Sequence, residues 1–448
     1  PHIFPPMHRY IPHTPADRAA MLARCGMQSE AELYADVPRE LLLGRHYAIG
    51  SEMSEKEVRD FFRSLDDLNR PAAVCFAGNG FYHHMAPAAI GAVIARSEFL
   101  TAYTPYQPEI SQGTLQYIFE YQTMMASLTG LAVSNASMYD GTTATAEAMM
   151  LCVAATRKRR RVLISATVDE ATRSVVATYA RYHGVELSVV PEHDGVTDRA
   201  ALTEMLASGN PVAGVIVASP NRHGILEDYT GLADEVHATK ALLAMHTIAA
   251  DLGVIRTPGE WGADIATGDA QSLGMPLSYG GPYLGFLCAS KALMRKVPGR
   301  IVGATTDADG RRVFVLTLQA REQHIRREKA TSNICSNQGL MALYATVYLS
   351  LMGPEGLREV CEAGYRGAHL LLQRLEATGK ARAAFPGKPF LNEFAIDTDL
   401  DADTIIERAL DRGILAGVKT GPNRLLIAVT EMQTEADIDS LVDIIANA

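Results

Sequence analysis

Six short apolar segments between residues 162 and 289 constrain the fold of this chain most strongly. Most of them lack the alternation of apolar and polar residues, as expected of strands that are buried on both faces. Helical patterns separate several of the segments, so the sequence predicts an α/β domain with a mostly parallel central sheet and right-handed crossovers. The segments are 162–166, 187–190, 212–219, 242–247, 265–268 and 285–289, and the helical patterns are 170–183, 199–206 and 229–238.

The two ends of the chain have different patterns from the centre. Ser54 and Glu57 have the spacing of a capping box, which predicts a helix over about 55–68, and 15–25 is a second candidate. After about residue 320, two long helices are predicted on either side of Gly353, and short strands and helices follow them. The predicted organisation is an N-terminal helical segment (1–70), a large α/β domain (71–325) and a small C-terminal α+β domain (326–448). The elements predicted after residue 320 are 338–351, 354–378, 391–396, 401–412, 425–429 and 434–446.

Composition narrows the class of protein further. The net charge of −10 disfavours nucleic acid as the main partner. No apolar run approaches the length of a membrane span, and prolines and histidines crowd an N-terminus without a signal-peptide core. The six cysteines include no Cys-x-x-Cys pair and none at metal-ligand spacing from a histidine, so they indicate thiols in a reducing compartment. We therefore expect a cytoplasmic protein.

Several polar features are interpreted as structural. His2, His8 and His13 are irregularly spaced in a proline-rich lead, which favours a solvated tail over a metal site. The basic run 157–161 is typical of a helix C-terminus. The pair His83 and His84 has no third ligand nearby. No Ser/His/Asp triad, zinc spacing, phosphate-binding P-loop or Gly-x-Gly-x-x-Gly fingerprint is present.

The loop 103–113 is the first segment that could carry chemistry. Two prolines make it stiff, and Tyr103, Tyr106, Gln107 and Glu109 give it polar tips. Either it only caps the apolar helix predicted at 114–128, or its hydroxyls and carboxylate reach into a cleft or across a subunit interface. The sequence leaves both interpretations open.

A second segment, 135–146, opens a helix at Asp140, Gly141, Thr142 and Thr143. Free backbone N–H groups at a helix start, with hydroxyls nearby, favour a phosphate or carboxylate. The alternative is structural, with glycine for the turn and threonine as the N-cap.

Two further segments are candidates for a site. The first, 268–285, is a long Gly/Pro-rich connector between predicted strands. Loops of this length inside a domain are usually functional. The alternative is a turn-rich connector that packs on the domain surface. The second, 319–335, has closely spaced arginines and glutamates around Arg321 and Glu322. It is either an ion-paired solvated helix face, or a segment that brings Ser332 and Asn333 into a polar site between domains.

Together these segments resemble the glycine decarboxylase P-protein family. The resemblance rests on Tyr-Thr-Pro-Tyr-Gln-Pro-Glu-Ile-Ser-Gln-Gly at 103–113, Asn-Ala-Ser-x-x-Asp-Gly-Thr at 135–142 and Arg-Glu-Gln-x-Ile-Arg-Arg…Ser-Asn-Ile at 321–334. It runs from about Met7 to the C-terminus, so residues 1–6 are interpreted as an extra leader. It implies the aminotransferase-like fold of type I pyridoxal-phosphate enzymes. Because these motifs belong to the N-terminal half of the family's fused form, it also implies subunit 1 of the split form.

The resemblance further implies that this half holds no cofactor. Such enzymes bind pyridoxal phosphate as a Schiff base on a lysine, but the matching position here is Gln271 or Ser272, depending on how the segment is counted. No lysine occurs between Lys240 and Lys291. An aspartate should pair with the pyridinium nitrogen, yet the preceding strand ends with Met245 and His246. The helix start at 140–143 would then be a relic of phosphate binding.

The implied partners follow from the same resemblance. A homologous subunit 2 would carry the lysine-bound pyridoxal phosphate in an α2β2 assembly, decarboxylate glycine and pass the aminomethyl group to the lipoyl H-protein. Tyr103, Tyr106, Gln107, Glu109, Ser332 and Asn333 would contact the partner's active site. Two alternatives are a self-sufficient enzyme that uses Lys240 or Lys291, and a regulatory or scaffold protein that has lost catalysis.

Overall fold

The computed structural model describes residues 12–45, 47–69, 71–101, 103–156 and 159–447. The expectations for residues 1–6, for His2 and His8, and for Arg157 and Lys158 lie outside these residues. Contacts within the chain divide it into two units, Pro1–Arg70 and Pro71–Ala448. Each unit is described separately. The further boundary at 325/326 stays a prediction.

The first unit consists of helices and turns. Helix α1 spans Pro15–Arg24 and helix α2 spans Glu55–Asp66. Both helices begin with a capping box, in which a hydroxyl and a carboxylate satisfy backbone N–H groups at the helix start. Ser54 caps α2 as predicted. None of residues 12–45 and 47–69 is buried.

The second unit contains the strands and the remaining helices. In chain order the strands are β1 (Val74–Cys75), β2 (Val133–Ser134), β3 (Arg161–Ser165), β4 (Glu186–Val190), β5 (Glu192–His193), β6 (Val196–Thr197), β7 (Val212–Ser219), β8 (Leu242–Ile248), β9 (Ile265–Asp269), β10 (Gly285–Ala289), β11 (Ile301–Thr306), β12 (Arg312–Thr317), β13 (Ala381–Ala383), β14 (Glu393–Thr398), β15 (Ile414–Leu415), β16 (Val418–Gly421) and β17 (Arg424–Ala428). The helices are α3 (Ala88–Ile94), α4 (Gln112–Thr129), α5 (Gly141–Ala155), α6 (Glu170–His183), α7 (Arg199–Ala207), α8 (Leu232–Ala238), α9 (Gln323–Arg326), α10 (Gly339–Ala377), α11 (Ala402–Asp411) and α12 (Glu435–Ala446).

A seven-stranded sheet in the order β2-β10-β9-β8-β7-β3-β4 forms the centre of this unit. The five strands from β9 to β4 are parallel to one another, whereas β10 runs antiparallel to both of its neighbours. Helices α5 and α6 contribute to the core on one face, and α7 and α8 to the core on the other. Every residue of β7 is therefore buried, and the predicted mostly parallel α/β sheet is confirmed.

A smaller antiparallel sheet, β13-β14-β17-β16, lies towards the C-terminus and packs its core with α11, α12 and the later part of α10. Helix α10 includes both helices predicted around Gly353, where the backbone turns left-handed at φ 62° before Pro354. The hairpin β11–β12 was not predicted from the sequence. Within the described residues, no helix is long and apolar enough to cross a bilayer.

Candidate functional site

A small cavity lies where the parallel strands β7, β8 and β9 end beside the start of α5. Ligands of open α/β sheets bind at this edge, outside the carboxyl ends of the strands. The cavity volume is about 90 Å³, whereas pockets that hold cofactors or drug-sized ligands span roughly 300–1,000 Å³. The lining residues include Asn79, Phe81, Gly141, Thr142, Asp169, Arg222, His246, Thr247, Asp269 and Glu393.

Gln271, one of the two positions expected for the cofactor lysine, follows β9 and is fully buried. Its Oε1 accepts a hydrogen bond from the Tyr82 backbone N–H at 2.9 Å. Its Nε2 donates to the backbone carbonyls of Tyr82 at 2.8 Å and Met275 at 2.6 Å. The amide therefore links the loop at Tyr82 to the loop at Met275 and satisfies three buried backbone groups. At the other position, Ser272 Oγ accepts from the Ala250 N–H at 3.0 Å.

Two carboxylates of this chain occupy the N–H groups at the start of α5. Asp140 is the N-cap, and its Oδ1 accepts from the Thr143 N–H at 2.8 Å and the Thr142 hydroxyl at 2.7 Å. Asp269, at the end of β9, accepts from the Gly141 N–H at 3.1 Å. A Cβ added to Gly141 would lie 2.7 Å from the Asp269 backbone nitrogen, so this close approach requires glycine.

These residues do not fit a phosphorylated aldehyde cofactor. No lysine lies among the residues that line the cavity, and side chains of this chain already use the Gly141 and Thr143 N–H groups. Burial raises the pKa of Asp269 only to about 6, so its carboxyl is mostly ionised at pH 7 and would repel a phosphate.

The residues at the end of β8 take different positions. Met245 packs into the core on the α7–α8 face of the sheet, whereas His246 lines the cavity with Nδ1 2.9 Å from the Thr145 hydroxyl oxygen. Burial lowers the pKa of His246, which favours the neutral imidazole. Asp251 lies beyond the strand in a buried 3₁₀ turn.

Asp251 belongs to a group of buried acids next to the cavity. Glu393 on β14 accepts from the Tyr82 hydroxyl at 3.1 Å, and Asp251 Oδ2 has no hydrogen-bond partner in the described part of the chain. Burial, reinforced by the charge of Glu393, raises the pKa of Asp251 to about 8. Burial also raises the pKa of Glu393 to about 7. Burial therefore favours the protonated form of both side chains.

Lys240 and Lys291 lie at the opposite ends of the strands from this cavity. Lys240 precedes β8, and Lys291 follows the antiparallel strand β10, whose last residue pairs with Ile265 at the start of β9. At ~3.3 Å per strand residue, the backbone of either lysine is more than ~13 Å along the strands from the cavity.

The loop 103–113 contains one anchored tyrosine, Tyr106, and three exposed polar side chains. The hydroxyl of Tyr106 accepts a hydrogen bond from Arg300 at 2.6 Å, and the ring of Tyr106 lies edge-on to that of Tyr103 at 5.9 Å. Tyr103 is 72% exposed, and Gln107 and Glu109 are also exposed. The loop thus presents polar tips from a fixed base.

That base is the buried guanidinium of Arg300. It forms an ion pair with Glu322 at 3.0 Å and donates to the Cys335 carbonyl at 2.8 Å. Arg321 and Glu322 are themselves buried, so this part of 319–335 is not the solvated helix face that was one of the two expectations. Arg300 therefore joins the tyrosine loop to segment 319–335.

Ser332 and Asn333 border a second cavity of about 440 Å³, together with Glu147, Tyr179 and Arg327. The Ser332 hydroxyl donates to Glu147 at 2.5 Å, and Asn333 is exposed. Burial raises the pKa of Glu147 to about 7. The sequence analysis missed Glu147 and Arg300, although a single glutamate in an Ala/Met-rich helix is a detectable signal.

The architecture defines the class of protein. A mostly parallel seven-stranded sheet with a small C-terminal α+β part is the aminotransferase-like fold of type I pyridoxal-phosphate enzymes. An alanine–glyoxylate aminotransferase from Nostoc sp. superposes on 90% of this chain with a TM-score of 0.62 and 99% of its own chain covered. Its sequence identity is 14%, so the likeness concerns the fold alone.

The sequence comparisons define the family. The model of the glycine cleavage system P-protein family matches residues 8–445, and the chain belongs to that family. A probable glycine dehydrogenase (decarboxylating) subunit 1 from Moorella thermoacetica is 48% identical over 439 residues, covering 97% of this chain and 98% of the relative. A solved glycine decarboxylase (P-protein) of the glycine cleavage system, in inhibitor-bound form, is 42% identical with a TM-score of 0.89, covering 98% and 100%.

The hydrogen bonds of Gln271 lead to a prediction for stability. Gln271→Ala should lower the free energy of unfolding by about 2–5 kcal/mol, because it strands buried backbone groups and leaves a cavity. Urea denaturation would measure the loss, with the exposed Gln116→Ala as the control that stays within ~0.5 kcal/mol. A loss below ~1 kcal/mol would contradict the role of this amide.

The raised pKa of Asp251 leads to a prediction for pH dependence. The folded chain keeps a proton up to about pH 8 that an exposed aspartate releases near pH 4. The stability contributed by this proton is full below pH ~4 and is lost as the pH rises to ~8. Relative to Asp251→Asn, the wild type should therefore lose up to ~1.4 kcal/mol per pH unit between pH 5 and 8. Parallel curves for the two proteins would show that Asp251 ionises normally.

Proposed function

We propose that this chain is the cofactor-free subunit of a two-subunit glycine dehydrogenase (decarboxylating). The observation that carries the proposal is that Gln271 and Ser272, the two positions expected for the cofactor lysine, are buried and hydrogen-bonded to backbone groups of this chain. The Asp269–Gly141 hydrogen bond supports it from the phosphate side. We interpret the helix start at 140–143 as a former phosphate site that now holds carboxylates of this chain.

The chemistry then belongs to a homologous subunit with a lysine-bound pyridoxal phosphate. When bound there, the cofactor supplies an electron sink for the loss of carbon dioxide from glycine. The lipoyl arm of the H-protein accepts the aminomethyl group. Two copies of each subunit would form an α2β2 assembly in the cytoplasm.

This chain contributes surface groups to that assembly. Tyr103, Gln107 and Glu109 are exposed on a loop whose base Arg300 holds through Tyr106. Ser332 and Asn333 border the cavity of about 440 Å³. We propose that these side chains orient substrate and exclude water at the partner's active site, which raises the effective concentration of correctly placed reactants.

Features of this chain argue against both alternatives, the self-sufficient enzyme and the scaffold. A self-sufficient enzyme would need Lys240 or Lys291, both of which lie far along the strands from the cavity. A pure scaffold would have no use for the exposed polar tips of the loop 103–113.

Reconstitution tests the proposal against both alternatives. Each purified subunit alone should give no glycine-dependent exchange of labelled carbon dioxide in the presence of pyridoxal phosphate and H-protein, whereas the mixture should be active. Activity of this chain alone favours the self-sufficient enzyme. A partner that is fully active without this chain favours the scaffold.

The exposed hydroxyl of Tyr103 leads to a more local prediction. In the reconstituted complex, Tyr103→Phe should lower decarboxylation by roughly 10–100-fold, as expected when a group that positions substrate is lost. The matched control is Tyr365→Phe, which removes a hydroxyl from an exposed tyrosine on α10. Equal rates for Tyr103→Phe and wild type would remove this hydroxyl from the mechanism.

A further inference from the structure

Glu147 on helix α5 is a buried acid that no cation of the described chain balances. It is 7% exposed and lies among the buried alanines and methionines of α5. Within the described residues its carboxyl has no ion-pair partner, and its hydrogen bond comes from the Ser332 hydroxyl. Burial raises the pKa of Glu147 to about 7, and this hydrogen bond opposes the rise only in part. A carboxylate buried without a cation is costly, so this position favours the neutral carboxyl.

The hydrogen bond between Ser332 and Glu147 fixes the direction of the serine hydroxyl. Ser332 donates to Glu147 Oε1 at 2.5 Å and accepts from the Ile334 N–H at 3.1 Å. A hydroxyl has one proton and two lone pairs. Glu147 therefore takes the only proton that Ser332 can donate, and one lone pair of the serine oxygen remains for a further contact.

The same hydrogen bond ties a segment without regular structure to a rigid helix. Residues 331–334 belong to no helix or strand, so no backbone ladder holds them in place. Glu147 lies 185 positions earlier in the sequence, on a helix that contributes to the core beside the central sheet. Ile334 is buried in that core as well. Side chains are held most precisely when a rigid element supports them, and for Ser332 that support is Glu147.

Apart from Glu147, the charged side chains that border this cavity of about 440 Å³ are exposed. They belong to His183, Arg327 and Glu328, where water screens their charge. Burial, reinforced by the charge of Glu147, raises the pKa of Tyr179, so its phenol is neutral at pH 7. Ionisation of Glu147 therefore leaves a poorly compensated charge beside Ser332. The remaining titratable groups that face the cavity or Tyr179 are Tyr139, Asp140 and Tyr182.

We propose that Glu147 is a positioning residue of the assembled enzyme, whose neutral carboxyl holds Ser332 and Asn333 in place at the partner's active site. This inference rests on the proposed function, which assigns those two side chains to that site. Glu147 contacts no reacting atom and acts through Ser332. Loss of its proton leaves a charge in the cavity that attracts water and cations, which disturbs the segment 331–334 and lowers the rate.

Two substitutions of Glu147 test the inference in the reconstituted complex. Glu147→Met has a similar length and a high helix propensity but accepts only weak hydrogen bonds. It should lower kcat by roughly 10–100-fold, as expected when positioning is lost, with a smaller change in the KM for glycine. Glu147→Gln stays neutral and keeps an acceptor oxygen for Ser332, so it should recover most of the activity that Glu147→Met loses.

The pH dependence of the rate separates positioning from a merely structural role. The ratio of the wild-type rate to the Glu147→Gln rate should fall above pH ~7, by up to ~10-fold per pH unit, because only the wild type loses the proton. The matched control is Glu227→Gln, at an acid that is also 7% exposed and accepts from the Thr197 N–H and Asn221. Its ratio should stay constant, because Glu227 does not contact Ser332.

Two further measurements ask whether the carboxyl acts through the serine. The double variant of Ser332→Ala with Glu147→Met should be no slower than the slower single variant, because both substitutions break one hydrogen bond. In the isolated chain, amide hydrogens of 331–335 should exchange faster in Glu147→Met than in Glu147→Gln. Equal exchange, or full additivity of the two losses in rate, would overturn the inference.

The remaining outcomes are equally decisive. A Glu147→Gln ratio that is flat with pH, or a wild-type kcat in Glu147→Met, overturns the inference and leaves the cofactor-free role of this chain intact. Thermal transitions check that each variant is folded. If Glu147→Met does not fold, Ser332→Ala carries the test, and a wild-type kcat for that variant overturns the inference. An inactive mixture of the two wild-type subunits would instead refute the proposed function.

Discussion

The hydrogen bond between the Asp269 carboxylate and the Gly141 N–H is the interaction on which the account of this site depends. A helix N-terminus at the carboxyl edge of a parallel sheet is a natural anion site, because its N–H groups are unpaired and its dipole favours negative charge. In this chain the anion comes from the adjacent strand, and Asp140 caps the same turn. Carboxylates of this chain therefore occupy N–H groups that a helix start could otherwise offer to a bound anion.

Gln271, which follows β9, also binds groups of this chain itself. An amide can donate and accept at once, so one side chain satisfies an N–H and two carbonyls that would otherwise be buried without partners. A lysine ammonium could only donate. Gln271 thus joins the loop around Tyr82 to the segment that follows β9.

Much of the fold could be predicted from sequence because buried parallel strands leave a strong local signal. The run 212–219 is entirely apolar or small and is observed with those bounds. Strand β2 has two residues and is defined only by its pairing with β10, so no local pattern reveals it. The antiparallel direction of β10 likewise depends on the Gly/Pro-rich connector before it, whose path a residue pattern does not determine.

The site was less predictable than the fold for a related reason. Counting along the segment located Gln271 and Ser272, but the contact of Gln271 with Tyr82 joins residues almost 190 positions apart in sequence. Arg300 has no neighbouring motif, and its importance follows only from its burial beside Glu322 and Tyr106. Burial and distant pairing, which decide the protonation of Asp269 and Asp251, are properties of the folded chain.

The most direct test of the central claim is borohydride reduction of the isolated chain with pyridoxal phosphate, followed by peptide mapping. Borohydride fixes a Schiff base as a stable secondary amine, and the lysine-bearing partner subunit provides the positive control. The account predicts stoichiometric labelling of one lysine in the partner and none in this chain. Stoichiometric pyridoxyl label on a single lysine of this chain, Lys240 or Lys291 included, would contradict it.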